Sequence, residues 1–142
     1  MSTYVREKVL RVPRDKINFE SIINKMVENF PNEDIMDDFG YYIEEAFPDL
    51  FNYGKRNKFQ IAPTEEWFID YVLDKEWDCD GSYGKVRDLY DSEKEKFRPV
   101  FQQIDPNINM DFVRLVEFCW YNGSDAPSYY DITKDPFYKE LV

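Results

Sequence analysis

From Met26 through Gly54 the chain carries no Lys or Arg, yet Glu33, Asp34, Asp37, Asp38, Glu44, Glu45 and Asp49 all fall in that stretch. A segment so charged can fold only if it separates its carboxylates from its apolar side chains. The sequence does so at a helical period. Over Asn32–Phe47, the residues Ile35, Phe39, Tyr42, Ile43 and Ala46 share one side, with Phe47 at its edge. Glu33, Asp34, Asp37, Asp38, Glu44 and Glu45 share the other. The spacing predicts one helix over 32–47 that buries an aromatic face and offers an acidic one. Gly40 lies between the faces, at a cost of about 1 kcal/mol relative to Ala, where it allows close packing.

The rest of the chain does not balance this charge. Of a formal net charge of −11, residues 33–80 carry −10, with fourteen acids against four bases. Binding to a nucleic acid backbone or an anionic membrane surface needs clustered Lys and Arg, so both are disfavoured as direct partners. At 142 residues and 18% aromatic, the chain predicts one folded domain spanning residues 1–142. No apolar run is long enough for a membrane span or a signal peptide. Cys79 and Cys119 lie 40 residues apart without metal-type spacing. Both points lead to the expectation of a reduced, cytoplasmic protein.

The expected fold is α+β: a helix-dominated single domain with four to six helices and a small antiparallel sheet, with an all-α bundle as the alternative. Thr3–Val12 reads as an edge strand stopped by Pro13, its Arg6, Lys8 and Arg11 discouraging pairing with other chains. Asn18 caps a helix whose apolar residues are Phe19, Ile22, Ile23, Met26, Val27 and Phe30. Phe59–Ile61 reads as a short strand. Thr64 opens a further helix carrying Trp67, Phe68, Tyr71 and Val72. Val86, Leu89 and Tyr90 suggest a helical piece, and Ser92 with Glu95 matches a capping box before Pro99 interrupts the run. Residues 109–122 fit a buried helix or a strand, and length together with Gly123 favours the helix. Asp135-Pro136 opens a last short helix.

The chemistry is defined by what is missing. There is no histidine, which removes His-based general bases, Ser-His and Cys-His nucleophile systems and the commonest zinc ligand. The five glycines form no phosphate-cradling loop. Glu44, Glu45, Asp70 or Asp74 could be paired as glycosidase carboxylates, but any acidic chain offers such pairs. Glu76-Trp77-Asp78-Cys79-Asp80-Gly81 resembles the first half of an EF-hand loop, yet Arg87 stands where the bidentate Glu belongs. No catalytic residue, metal or cofactor is therefore expected.

What remains is a non-catalytic module that binds a basic protein surface through its acids. Helical carboxylates four residues apart are separated by about 6 Å, comparable with phosphates along a strand. The candidate binding residues are Glu33, Asp34, Asp37, Asp38, Glu44 and Glu45, extended by Asp70 and Asp74. They would occupy the Lys/Arg groove of a nucleic-acid-handling enzyme and exclude its substrate. The profile resembles, as a class only, phage-type inhibitors of nucleases and of restriction or CRISPR effectors. The alternatives are a scaffold subunit using a Tyr-rich apolar patch, or a carboxylate- or metal-dependent enzyme.

Overall fold

The computed structural model describes residues 3–53, 57–63, 66–79, 87–88 and 91–122. The described elements run β1 (Thr3–Pro13), α1 (Phe19–Asn29), α2 (Phe39–Ala46), β2 (Lys58–Ile61), β3 (Phe68–Cys79), β4 (Arg87–Asp88), α3 (Arg98–Ile104) and β5 (Arg114–Asn122). The strands form one antiparallel sheet in the order β2-β3-β1-β5-β4. The class is thus mixed α+β. Three α-helices occur among the described residues rather than four to six, and the sheet excludes the all-α alternative.

The largest correction concerns β1. It is the central strand, not an edge, pairing with β3 on one side and β5 on the other. Its alternate residues Leu10 and Val12 join the core beneath the helices, together with Ile69, Tyr71, Phe59, Val113 and Leu115. The opposite face is buried as well. Val5, Glu7, Val9 and Arg11 on β1, Phe68, Asp70 and Val72 on β3, and Val116 and Phe118 on β5 are all buried there.

Burial of both faces explains the two misread elements. The segment expected to be a helix from Thr64 is β3, and the expected helix 109–122 is a single turn at Met110–Phe112 followed by β5. A strand covered on both sides loses its apolar–polar alternation and reads as a continuous apolar run. Pro99 does not interrupt α3; it sits in the first turn, where a missing N–H costs nothing. The segment with the capping-box match, Asp91–Phe97, is a 3-10 run leading into α3. Of the helical piece read around Val86–Tyr90, only the two-residue strand β4 is described. The expected helix after Asp135, together with Asp80 and Gly81 of the EF-hand-like run, lies outside the described residues.

The helices follow the sequence more closely. In α1 the Asn18 side chain accepts a hydrogen bond from the Ser21 N–H at 3.3 Å, and Ile22 and Met26 are buried. The Asn18 N–H in turn donates to Asp105 Oδ2 at 2.9 Å, which ties the start of α1 to the end of α3. An aromatic group binds helix to sheet: Phe59 lies 4.8 Å from Tyr71 and 5.3 Å from Phe101, centroid to centroid. Each such pair contributes about 0.5–1.5 kcal/mol beyond its buried area.

Hydrogen-bond phase fixes how α2 meets β2. The Arg14 N–H donates to Trp67 O at 2.9 Å, and the Ala62 N–H to Phe68 O at 3.0 Å. Antiparallel pairs alternate between bonded and non-bonded, so Ile69 and Tyr71 bond toward β1 while Asp70 and Val72 bond toward β2. Phe59 and Ile61 consequently aim their N–H and C=O away from β3. Gly40 in α2 stands against the first of these, and a Cβ there would lie 2.8 Å from Phe59 O. Gly40→Ala is therefore expected to destabilise the protein by about 1–3 kcal/mol, although Ala is the better helix former; urea unfolding with an unchanged m-value would show it.

Candidate functional site

The acidic stretch folds in two parts. Only Phe39–Ala46 is α-helical; residues 31–38 form turns, with the Asp37 N–H donating to Asp34 O at 3.2 Å. The single helix expected over 32–47 is thus half as long. Four of its first seven residues are Asp or Asn (Asn32, Asp34, Asp37 and Asp38), which hydrogen-bond local backbone and favour turns over helix interiors. The face assignment survives the change, since Ile35, Phe39, Ile43, Ala46 and Phe47 are all buried and Tyr42 packs on the core.

Glu33, Asp34, Asp37 and Asp38 are exposed on the turns, Glu45 is exposed on α2, and Glu44 is half-buried beside it. Among the described residues none of the six has a Lys or Arg nitrogen within 4.0 Å. The Glu33 carboxylate accepts a hydrogen bond from the Tyr42 hydroxyl at 3.3 Å. Burial and this negative neighbour raise the Tyr42 pKa above the usual phenol range. Burial also raises Glu44, with Glu45 adding to the shift and the Lys58 ammonium opposing it. Lys58 on β2 is the cation the sequence did not place near these acids.

Lys58 also contributes to a groove of about 300 Å³ between β2 and residues 36–40, where the turn enters α2, lined by Met36, Asp37, Asp38, Gly40 and Gln60 among others. Asp74 is exposed on β3, past an irregularity in its pairing with β1, and borders a separate depression of about 240 Å³ with Lys58, Gln60 and Lys75. It therefore stands across Lys58 and Gln60 from the main acidic group.

Asp70 must be removed from any binding surface. It is fully buried, and its two oxygens accept from Arg11 Nε at 2.7 Å and Nη2 at 2.9 Å. The Arg11 guanidinium lies 4.6 Å from the Phe118 ring and 5.2 Å from that of Phe68, and among the described residues its Nη1 has no hydrogen-bond partner. Glu7, likewise buried, accepts from Gln60 Nε2 at 2.9 Å with Lys75 Nζ at 4.0 Å. These charges face inward because the sheet is covered on both sides, which the alternating charges of β1 did not reveal.

Among the described residues no three His, Cys, Asp or Glu side chains converge as a metal ion would require, and no helix is long and apolar enough to cross a membrane. In the EF-hand-like run, Glu76 lies on β3 with its carboxylate 3.5 Å from Arg6. Comparison with protein-family models, with curated proteins and with solved structures found no match.

Breaking the inner pair should be severe. Arg11→Met or Asp70→Leu alone is expected to cost about 3–5 kcal/mol by leaving one charge buried and unpaired. The double variant should cost clearly less than the two single changes together, as a thermal or urea double-mutant cycle would reveal.

Proposed function

We propose that this protein is a non-catalytic binding module that docks its acidic flank onto a basic protein surface, as an inhibitor imitating nucleic acid in the groove of a nucleic-acid-handling enzyme. One observation carries the reading: six carboxylates fall within the thirteen residues 33–45, and among the described residues none has a Lys or Arg nitrogen within 4.0 Å. Unneutralised charge of this density steers a cationic partner toward it and raises the association rate. With four of the acids on turns, the resemblance to a phosphate row rests on charge density and not on a helical repeat. Asp74 extends the field at its margin; Asp70 takes no part.

The test has two arms. The variant Asp37→Lys/Asp38→Lys/Glu44→Lys/Glu45→Lys should lose affinity for a captured basic partner by about 100-fold or more while keeping the parent's circular dichroism spectrum and unfolding midpoint. Binding by the parent should weaken steeply between roughly 50 and 500 mM salt as the charges are screened, and duplex DNA should compete with it. A partner that binds as well to the reversed variant, or that holds DNA and this protein together, would rule the reading out.

A further inference from the structure

Two exposed apolar side chains interrupt the carboxylates of this flank: Met36, 40% exposed on the turn, and Tyr41, 51% exposed on α2. At helical spacing Tyr41 stands three residues after Asp38 and four before Glu45, so acids flank it along the axis. Its ring is braced. Tyr41 meets Tyr42 edge-on at 5.1 Å, Tyr42 meets Phe30 at 5.0 Å, and the Tyr42 hydroxyl is held by Glu33. Phe30 and Tyr42 both pack on the core. An aromatic fixed in this way has little freedom left to lose on binding, a property of residues that dominate interface energies.

Met36 forms one lip of the groove beside β2, whose charged lining among the described residues is the two carboxylates of Asp37 and Asp38 and the ammonium of Lys58. A volume of about 300 Å³ accommodates a long side chain, and the excess of carboxylate selects a cation. We infer that this surface takes a cationic peptide segment of a protein partner, one carrying an apolar side chain next to its Lys or Arg. The apolar side chain lies on Tyr41 and Met36, and the cation enters the groove beside Asp37 and Asp38. This inference rests on the acidic-flank reading and adds to it a place and a sequence preference.

Two synthetic peptides of about twelve residues and equal charge, one of Lys-Lys-Leu repeats and one of Lys-Lys-Ala repeats, separate the two ideas when titrated against the labelled protein with amide chemical shifts as the readout. The Leu peptide should bind about tenfold more tightly, with its extra shifts centred on residues 36–41 and β2. Tyr41→Ala and Met36→Ala should each abolish the preference and leave the Ala peptide's affinity unchanged, while Tyr41→Phe retains it. If both peptides bind the parent equally, or the preference survives in Tyr41→Ala and Met36→Ala, the inference fails and the acidic-flank reading stands. If neither peptide binds at low salt, both fall.

Discussion

The Arg11–Asp70 pair governs the arrangement of the sheet. It joins the two longest described strands near one end of their pairing, Arg11 third from the end of β1 and Asp70 third from the start of β3, through a two-pronged fork of Arg11 donors. Removing two charges from water costs more than a surface ion pair returns, so the pair is a poor source of net stability. Its value lies in selectivity. Sliding β1 by one residue against β3 would set the guanidinium beside Ile69 or Tyr71 and turn Asp70 to an apolar neighbour. Only the observed register satisfies both, and the rings of Phe68 and Phe118 close the site around them. Pairing of β1 on its other side then places β5, and with it the floor on which α1, α2 and α3 rest.

The legible parts of the sequence were those with one dry face and one wet face. The helix α1 and its Asn18 cap follow the apolar spacing directly, and Phe59–Ile61 was marked as a strand by its residue types. The apolar side of the acidic stretch was also readable, because Ile35, Phe39 and Ile43 are separated by carboxylates that cannot be buried. What the chain concealed has a single cause. Arg11, Glu7 and Asp70 carry charges that ordinarily mean solvent, so β1 read as an edge and Asp70 as a surface acid. With two covered faces, β3 and β5 lack the alternation that identifies a strand. Local pattern cannot show that a charge's partner lies 59 residues away.

The same reasoning explains why the acidic flank is restricted to turns and a helix of two turns. Each buried residue there anchors the backbone to the core, and the acids between them have only water to face. Their mutual repulsion opposes a longer regular helix, so the chain gives up helical hydrogen bonds in 31–38 and keeps the core contacts. Lys58 relieves part of this repulsion from the neighbouring strand. The field that remains is a property of placement as much as composition, since among the described residues Arg11 is spent on the inner sheet face, Arg6 and Arg98 on Glu76 and Glu95, and Arg14, Lys16 and Lys25 on aromatic rings.

The contact between Gly40 and the Phe59 carbonyl carries one more consequence. The outer strand of an open sheet is a template on which a foreign strand can assemble, and β2 offers outward amide groups at Phe59 and Ile61. Here α2 occupies that approach at its closest point, with Lys58 and Pro63 limiting what remains. The segment that displays the negative charge thus doubles as the guard of the sheet's border. A change that unravels it would strip the molecule of its charged display and, in the same event, open it to self-association.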